Sequence, residues 1–400
     1  MNGRSNQEDS MPGPTDHALR VVIAGAGIAG LATALRLHRD GHRVLVAERA
    51  PARRTGGYLV NLLGPGFDAA EDLGLVPALR ARDQGIFTSL LVRADGSTKL
   101  AMPAALAEQS LGSRALTVFR GDLEDALWEE IDDAVEIRFG TTVAAIDDAD
   151  GPLRVTLSDG SVHDADLLVG ADGLHSGVRE VAFGPEQEYV HDLRHAVAAF
   201  PLDEAPEGLP AQTASTFIDV GRTAAVFRPR DHAPSAFFTY RTADADPAGS
   251  PAAAVAAHFG DLTGRVHDAA LRAAGTDGAY FDSVSQVVMD AWSRGRVVLV
   301  GDAAWCVSLF AGHGAGLALA GGDRLGRALA DHPGDVAAAL RTWEGGLRPE
   351  VTKHQRRARA GMARFAPPSR VHLVVQDLMI RALTAPLLGP ALLRLMSRAR

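Results

Sequence analysis

A glycine-rich turn near the amino terminus restricts the possible folds more than any other feature of this sequence. The turn is Gly25–Gly30, which reads Gly-Ala-Gly-Ile-Ala-Gly and follows a short apolar segment, Arg20–Ala24. Helical apolar spacing over Ile28–Arg39 and a second apolar segment, Val44–Ala47, complete a βαβ pattern within about thirty residues. The pattern predicts a parallel sheet with a dinucleotide phosphate at the start of the first helix.

Each glycine of this turn has a steric reason. Gly25 permits the tight turn, Gly27 lets the backbone approach a pyrophosphate, and Gly30 lets the helix pack closely on the strand. The helix begins at Ile28–Ala29, whose N–H groups and positive dipole end are expected to contact the phosphates. Glu48 follows the second strand and is placed to accept ribose hydroxyls. These residues fit FAD and NAD alike.

Two further motifs lie far along the chain, each at the end of a predicted buried strand. Gly170–Gly173 (Gly-Ala-Asp-Gly) follows Asp166–Gly170, and Gly301–Trp305 (Gly-Asp-Ala-Ala-Trp) follows Arg296–Val300. The second motif leads into a glycine-rich stretch, Gly312–Gly316. The combination predicts a bound flavin, with its adenosine at the first motif and its ribityl chain at the last.

Composition limits the class of protein. The chain has 400 residues, so two packed domains are expected, and its net charge of −9 without a basic stripe argues against nucleic-acid binding. The single cysteine, Cys306, excludes an intrachain disulfide and a cysteine-based metal cluster, and no metal is expected. A small buried hydrophobe is the expected role of Cys306. No segment reaches the roughly 18 apolar residues of a membrane span, and a cytoplasmic protein is expected.

The residue pattern changes between Pro185 and Asp282, where proline-rich segments predicted as loops separate short aromatic segments. Ser215–Asp219, Ala224–Arg228 and Ala236–Arg241 are predicted strands of an antiparallel sheet in a second domain. The predicted division is a FAD-binding domain of residues 19–75, 110–184 and 283–345, a substrate domain of residues 76–109 and 185–282, C-terminal helices over 346–400, and a disordered segment over 1–18.

Several short motifs occur in the order found in one flavoenzyme family: Glu48–Pro51, Gly56–Tyr58, Arg120–Leu123, Gly170–Ser176 and Gly301–Ala304. Together they resemble the single-component FAD-dependent aromatic hydroxylases, the p-hydroxybenzoate hydroxylase-like flavoprotein monooxygenases. Within that family the chain is similar to the branch with tetracycline-inactivating and polyketide-tailoring enzymes. The resemblance covers most of residues 19–345 and is weak between 185 and 282. It implies an α/β fold: a Rossmann-like FAD-binding domain, an inserted antiparallel-sheet substrate domain and a C-terminal helical region.

The resemblance implies a role for each matching residue. Glu48 would hold the adenosine ribose, Arg49 would lie on the adenosine side, and Arg120 would be a countercharge near the pyrophosphate. Asp302 would bind the ribityl hydroxyls. The backbone beside the flavin ring would come from Gly312, Gly314 and Ala315.

Asp172, His175 and Arg179 match the motif that the family links to flavin binding and to reduction by NADPH or NADH. A carboxylate orients hydroxyls and amides, whereas His and Arg suit an anionic dinucleotide. For Asp172 the alternative is a turn-forming residue at a strand end. His175 and Arg179 fit exposed helix residues equally well.

The Gly301 segment departs from the family pattern. Relatives commonly carry His or Tyr where Trp305 stands, prolines near Val307 or Leu309, and Gln where His313 stands. The family's contacts beside the flavin ring are therefore in doubt here. His313 is a candidate substrate contact, acid or base, and structural loop filler is the alternative.

Aromatic residues of the second domain are candidates to line a pocket for a flat polycyclic substrate. These candidates are Phe217, Phe227, Phe238 and Tyr240, and ordinary core packing is the alternative at each. A polar cluster, His191, Arg194 and His195, has no assigned role. In the tail, Val371–Ile380 and Leu387–Met396 are apolar, and a helix packed across the domains is favoured over a membrane-surface helix.

The expected function is an NAD(P)H- and O₂-consuming monooxygenase that hydroxylates an aromatic or polycyclic, polyketide-like molecule through a flavin C4a-hydroperoxide. The protein would contribute positioning, exclusion of water and electrostatics, so no catalytic residue is assigned. Baeyer–Villiger oxidation and epoxidation remain open. So do a redox-silent isomerase or cyclase on this scaffold and a dehydrogenase. A flavin-dependent halogenase is rejected, because the four tryptophans are isolated and neither lysine is well placed.

Overall fold

A computed structural model describes residues 18–53, 57–105, 114–131, 134–148, 151–242, 250–264, 266–267, 270–271 and 279–384. The disorder predicted for residues 1–18 falls almost wholly outside these ranges. Gly56 and the apolar segment Leu387–Met396 also lie outside them.

Helices are numbered in chain order: α1 (Ile28–Arg39), α2 (Pro65–Asp72), α3 (Val76–Ala81), α4 (Arg120–Ile131), α5 (Gly177–Ala182), α6 (Pro251–Phe259), α7 (Asp302–Trp305), α8 (Gly314–Asp331), α9 (Val336–Phe365) and α10 (Arg370–Thr384). Strands are numbered likewise: β1 (Arg20–Ala24), β2 (Arg43–Glu48), β3 (Leu59–Leu63), β4 (Thr88–Val92), β5 (Thr98–Met102), β6 (Ala115–Phe119), β7 (Glu136–Phe139), β8 (Val143–Asp147), β9 (Leu153–Leu157), β10 (Val162–Ala165), β11 (Leu167–Gly170), β12 (Val190–Pro201), β13 (Thr213–Asp219), β14 (Arg222–Arg228), β15 (Ser235–Arg241), β16 (Tyr280–Val287), β17 (Ser293–Arg294) and β18 (Val297–Leu299).

A six-stranded sheet of order β17-β18-β11-β1-β2-β7 carries the three glycine motifs. All its pairings are parallel except that of β17 with β18. Strands β1, β11 and β18 are almost wholly buried, because helices cover both faces of a parallel sheet. The predicted strands β1, β2, β11 and β18 and the predicted helix α1 are confirmed to within about two residues.

Helix α8 lies directly against α1 because small residues face each other. A Cβ added at Gly322 would lie 2.7 Å from the backbone nitrogen of Thr33, and one added at Gly326 would lie 2.4 Å from Cγ of Arg36. Any larger residue at these positions would separate the two helices. The contact brings the start of α8 to the same end of the sheet as the Gly25–Gly30 turn.

A second, seven-stranded sheet has the order β16-β12-β15-β14-β13-β4-β5 and is antiparallel except between β13 and β4. Its two faces alternate along each strand. One face packs against α6 as a second hydrophobic core, which includes Ala198, Ala224, Phe238 and Phe259. Cross-strand pairing of Ala199 with both Phe237 and Tyr280 puts these three residues on the opposite face.

Two smaller sheets, β10-β9-β8 and β3-β6, complete the described strands. Strands β4 and β5 join the seven-stranded sheet, whereas α3 packs with the first core through Leu79. The domain bounds given above remain a prediction.

Helix α10 lies along the seven-stranded sheet and pairs its Asp377 with Lys99 of β5. Its outer side is apolar and exposed, at Val371, Val374, Val375, Leu378 and Met379. Within the described part of the chain, no helix has the length and hydropathy of a membrane span.

Candidate functional site

The three glycines of the first motif have different surroundings. Gly25 has a φ of +100°, and a Cβ there would lie 2.5 Å from the carbonyl oxygen of Ala171. A Cβ at Gly30 would lie 1.9 Å from the carbonyl oxygen of Gly25. A Cβ added at Gly27 would have as its nearest described neighbour a guanidinium nitrogen of Arg120, 3.6 Å away. Packing therefore requires Gly25 and Gly30, whereas Gly27 faces a groove that Arg120 borders.

Glu48 closes this turn from the end of β2. Its carboxylate accepts the backbone N–H groups of Ala26 and Ala50, both at 2.7 Å. Each carboxylate oxygen keeps a lone pair for a ligand hydroxyl. Arg49 is exposed beside it, at the edge where an adenosine would lie.

Arg120 is the cation of the groove. It begins α4, forms an ion pair with Glu124 at 3.0 Å, and its side chain is 41% exposed. Burial of the guanidinium opposes its charge, but the combined effect of Glu124, Tyr58 and Asp302 raises the pKa of Arg120. A permanent positive charge thus faces the start of α1, as a pyrophosphate site requires.

Asp302 lies across the groove at the start of α7. The residue is exposed, yet protein surrounds it on several sides, so it sits in a concavity. Loss of hydration there raises the pKa of Asp302, and nearby Arg120 opposes this rise. A Cβ added at Gly314 would lie 3.9 Å from Asp302 Oδ1. The carboxylate therefore lies between the cation and the first turn of α8.

Two tyrosines continue the groove toward the second sheet. Tyr58 precedes β3 and Tyr280 begins β16, with ring centroids 6.2 Å apart. Loss of hydration raises the pKa of both, and the charge of Asp302 contributes at both. Sequence reasoning missed Tyr280, because neither β16 nor its partner β12 was predicted. The alternation of β16 was the only available signal.

Asp172 organises the loop after β11. One carboxylate oxygen accepts the Ser176 hydroxyl at 2.5 Å, and the other accepts the N–H of Val178 at 3.0 Å. Ser176 in turn caps α5 by accepting the N–H of Arg179. Burial raises the pKa of Asp172, and these hydrogen bonds oppose the rise. The geometry establishes a structural role for Asp172, and its contact with a cofactor stays a prediction.

Arg179 and His175 differ in their access to a ligand. Arg179 is fully buried and donates to the carbonyls of Ala303 and Leu174 at 2.9 and 2.7 Å. This burial and these two bonds argue against its predicted role as a nucleotide contact, and burial also lowers the pKa of Arg179. His175 is exposed and lies beside Glu186. Its nucleotide role stays a prediction.

The glycine-rich stretch before α8 is open to a ligand. Gly312 has a φ of +63° and no atom within 4 Å of an added Cβ, among the residues described. His313 occupies the N-cap position of α8 without a side-chain hydrogen bond to the helix, and its ring centroid lies 4.1 Å from that of His354 in α9. The pKa of His354 is lowered to about 4, mainly because the ring is buried and to a smaller extent because His313 lies beside it. Gly312, Gly314, Ala315 and His313 are thus placed for the predicted contacts, which remain predictions.

Trp305 is a core residue in this protein. Its ring packs against those of Trp292 and Trp343, with centroids 4.6 and 5.7 Å away. A Cβ on Gly321 would lie 2.7 Å from the Trp305 ring. Cys306 is buried, as predicted from its residue type. Burial, with Asp302 nearby, raises the pKa of its thiol well above the usual value.

The predicted pocket residues of the second sheet are mostly elsewhere. Phe217, Phe238 and Tyr240 belong to the core against α6, on the face turned away from Tyr280. This placement contradicts their interpretation as substrate contacts. Phe227 lies on the face shared with Phe237, with its ring 6.0 Å from that of Phe87. It is the one of the four that the structure leaves as a candidate.

The unassigned polar cluster does not form one site. His191 is exposed, whereas His195 is buried against the ring of Phe310. Arg194 adopts a φ of +55° in a bulge of β12. In the described residues, no group of three or more His, Cys, Asp or Glu side chains is arranged to hold a metal ion.

Comparison with known proteins decides the family. Residues 18–341 match the family described as FAD binding domain. The chain belongs to the FAD-dependent monooxygenases. FAD-dependent monooxygenase asL4 of Sarocladium schorii is 31% identical over 340 residues, 79% of this chain and 76% of that one. The 2-heptyl-3-hydroxy-4(1H)-quinolone synthase of Pseudomonas aeruginosa is 31% identical over 306 residues, 75% of this chain and 78% of that one.

Solved structures agree with this assignment. The tetracycline destructase Tet(51) superposes with a TM-score of 0.77 at 26% identity, covering 92% of this chain and 97% of that one. The p-hydroxybenzoate hydroxylase-like fold inferred from the motifs is therefore confirmed. For this monooxygenase, FAD is the cofactor that the groove must accommodate. Gly27, Arg120 and Asp302 fit it, because, among the described residues, Arg120 alone lies within 4 Å of a Cβ added at Gly27, and because Arg120 supplies a cation and Asp302 a hydroxyl acceptor that interact electrostatically.

Proposed function

We propose that this monooxygenase uses NADPH or NADH and O₂ to hydroxylate an aromatic or polycyclic small molecule. The observation that carries the proposal is that the seven-stranded sheet meets the cofactor side at Tyr280, whose ring lies 6.2 Å from that of Tyr58 and which interacts with Asp302. These two surfaces would be the walls of the substrate site, and Tyr280 is exposed between them. A flat substrate held between these walls would lie against a flavin ring.

Each residue of the cofactor side would hold a different part of FAD. The start of α1 and Arg120 would hold the pyrophosphate, Glu48 the adenosine ribose, and Asp302 the ribityl hydroxyls. The start of α8 would place backbone N–H groups at the flavin ring, where a positive helix end stabilises negative charge. When bound, FAD supplies the redox and oxygen chemistry. The two sheets exclude water from the reacting ring.

The names of two similar proteins support a fused-ring substrate. One is a quinolone synthase and the other a tetracycline destructase, and both names refer to fused-ring compounds. The aromatic residues Tyr58, Tyr280, Phe227 and Phe237 suit such a ring by stacking and edge contacts. The altered residues Trp305 to Leu309 keep a redox-silent protein open as an alternative. That argument weakens, because Trp305 packs in the core and not at the groove.

The test follows the flavin absorbance near 450 nm of purified protein. NADPH or NADH is added anaerobically, with and without a panel of polycyclic phenols. Bleaching that one phenol accelerates, followed by its hydroxylation when O₂ is admitted, is the expected result. Bound flavin that neither nucleotide reduces with any phenol would favour the redox-silent alternative. Reduction without oxygen insertion would favour a dehydrogenase.

A further inference from the structure

The outer side of α10 is a continuous apolar stripe. Its five large apolar residues recur at intervals of three and four, which places them on one side of the helix. They are Val371, Val374, Val375, Leu378 and Met379, each between 52% and 70% exposed. The opposite side of α10 contacts protein, because Leu373 and Ile380 share a small cavity with Leu91 and Ile218 of the seven-stranded sheet. The helix is therefore fixed to the sheet by one side, and no described residue covers its apolar side.

The stripe lies in a strongly basic part of the chain. Residues 353–400 contain ten Lys or Arg and a single acidic residue, Asp377, although the whole chain has a net charge of −9. Asp377 is itself paired with Lys99 on the inner side of α10. An exposed arginine stands at each end of the stripe, Arg370 before it and Arg381 after it. The net charge of the chain therefore conceals one positive region.

The second half of α9 supplies further positive charge. At about 100° of rotation per residue, four of its exposed basic residues fall within about a third of the helix circumference. They are Lys353, Arg356, Arg357 and Arg364. Among the described residues, no carboxylate forms an ion pair with any of these four or with Arg370. The end of α9 lies beside α10, since the Gln376 side chain donates to the Arg364 carbonyl at 3.1 Å. The positive charge and the apolar stripe are thus neighbours.

This charge determines which partner suits the apolar side. A second copy of the chain would place one basic region against another. Residues 385–400, which follow α10, contain three arginines and no acidic residue, so they too would add positive charge. The stripe has no Trp, Tyr or Phe, the aromatic side chains that anchor most specific protein interfaces. An anionic lipid surface attracts the basic residues, and its hydrocarbon accepts aliphatic side chains without a shaped pocket.

We propose that the outer side of α10 binds the surface of an anionic lipid bilayer, with the helix axis in the plane of the headgroups. The apolar stripe enters the boundary between headgroups and acyl chains, and the basic residues of α9 and α10 attract the lipid phosphates. The inner side of α10 stays on the sheet, so the helix does not cross the bilayer. Packing on protein and contact with a membrane surface, the two interpretations of this segment, then apply to opposite sides of one helix. The inference is independent of the proposed function.

The test is flotation of the FAD-loaded protein with lipid vesicles at low and high NaCl. Vesicles of phosphatidylcholine alone are compared with an equal mixture of phosphatidylcholine and phosphatidylglycerol. We expect binding to the mixed vesicles that falls as salt is added, because salt screens exposed charges, and much weaker binding to phosphatidylcholine alone. Absence of binding to the mixed vesicles would overturn the proposal. Equal binding to the two kinds of vesicle would overturn it too.

A pair of neutral substitutions tests the apolar stripe. Val374→Gln combined with Leu378→Gln should weaken binding to the mixed vesicles at least about tenfold, because two side chains no longer enter the hydrocarbon. The control combines Val162→Gln with Val181→Gln, at exposed valines of β10 and α5, and should bind as wild type. Equal binding by the two double variants would contradict the proposal. A wild type that elutes as a dimer, with a monomeric Val374→Gln, Leu378→Gln variant, would make the stripe an interface between copies instead.

A second pair tests the charge. Arg364→Gln combined with Arg370→Gln should weaken binding to the mixed vesicles about fivefold for each arginine removed. The control, Arg43→Gln combined with Arg154→Gln, removes the same charge from β2 and β9 and should change binding by less than about twofold. All the substituted residues are exposed, so each variant should keep its FAD and its melting temperature. An equal effect of the two pairs would show that only net charge matters, and the proposed surface would be wrong.

Discussion

Gly30 and Gly346 offer a matched pair for testing the turn of the first motif, since both are helical glycines. Gly30→Ala forces a Cβ to within 1.9 Å of the carbonyl oxygen of Gly25, so the turn must open. We expect it to lose about 1–3 kcal/mol of stability and most of its bound FAD. Gly346→Ala meets no atom within 4 Å and should gain about 0.5–1 kcal/mol. Urea unfolding and the flavin content after gel filtration measure both effects, and equal behaviour of the two variants would contradict this steric account.

His354 supplies a pH prediction at the same scale. Burial holds its pKa at about 4 in the folded chain, below the ordinary 6.5, so the unfolded chain binds the proton more readily. The folded state therefore loses stability as the pH falls through 6.5 toward 4. Between pH 7 and 5 this histidine accounts for about 2 kcal/mol at most. Urea unfolding at the two pH values should show a smaller loss in His354→Gln than in wild type. An equal loss would mean that His354 is not buried as described.

Single residues also show where sequence reasoning reaches its limit. Gly25, Gly30 and Glu48 were predictable, because their roles follow from backbone geometry within one βαβ unit. Arg179 was not, because its burial depends on the carbonyl of Ala303, which is remote in sequence. Tyr280 was missed for the same reason: its place in the groove depends on the partner strands of β16.

Helix α7 shows how one element transmits packing to the cofactor side. It begins at Asp302 and ends at Trp305, whose ring is held by Trp292, Trp343 and Gly321. Trp305→His, which restores a residue common in relatives, should leave a cavity and lower stability by about 2–4 kcal/mol. It should also weaken FAD binding, because Asp302 loses its fixed position. The measurements are urea unfolding and FAD titration of apoprotein, and unchanged affinity for FAD would separate the tryptophan cluster from the site.

Strand β12 explains why the second sheet was only partly predicted. Its residues Ala196 and Ala198 are small, and they pair with Tyr240 and Phe238 of β15. Alanine has low strand propensity, so the strand depends on tertiary partners and not on its own sequence. The same alternation that revealed β15 could not tell which of its faces the second core would cover. Phe217, Phe238 and Tyr240 could therefore be named only as pocket candidates with core packing as the alternative, and the structure places them in that core.

At the scale of the whole molecule, bound FAD should increase the free energy of unfolding. Binding to the folded chain alone stabilises it by about 2.7 kcal/mol when free FAD is a hundred times Kd. The Asp302→Asn variant separates two effects of that carboxylate. Because the pKa of Asp302 is raised in the folded apoprotein, its charged carboxylate lowers the stability of that state above this pKa. The asparagine cannot be charged, so the variant apoprotein should have a higher melting temperature at pH 7. FAD should then raise the melting temperature less than in wild type, and an equal rise would remove Asp302 from the cofactor site.

The seven-stranded sheet also contacts other parts of the chain away from Tyr280. His232, in the loop between β14 and β15, stacks on Phe119 and lies 3.5 Å from Asp122 of α4. Burial raises the pKa of Asp122, and the nearby His232 opposes the rise. On the far side, the Thr223 hydroxyl of β14 donates to the carbonyl of Phe365 at the end of α9. These contacts join the seven-stranded sheet to α4 on one side and to α9 on the other.

Cys306 has a practical consequence for measuring the distance between the two large sheets. Its thiol is buried and its pKa is raised, so little reactive thiolate forms at neutral pH. A cysteine introduced on an exposed position, such as Val374 of α10, would therefore react selectively with a fluorescent or spin label while Cys306 stays in place. Two such labels, one on each sheet's outer surface, would report the distance between the sheets in solution as nucleotide and phenol are added.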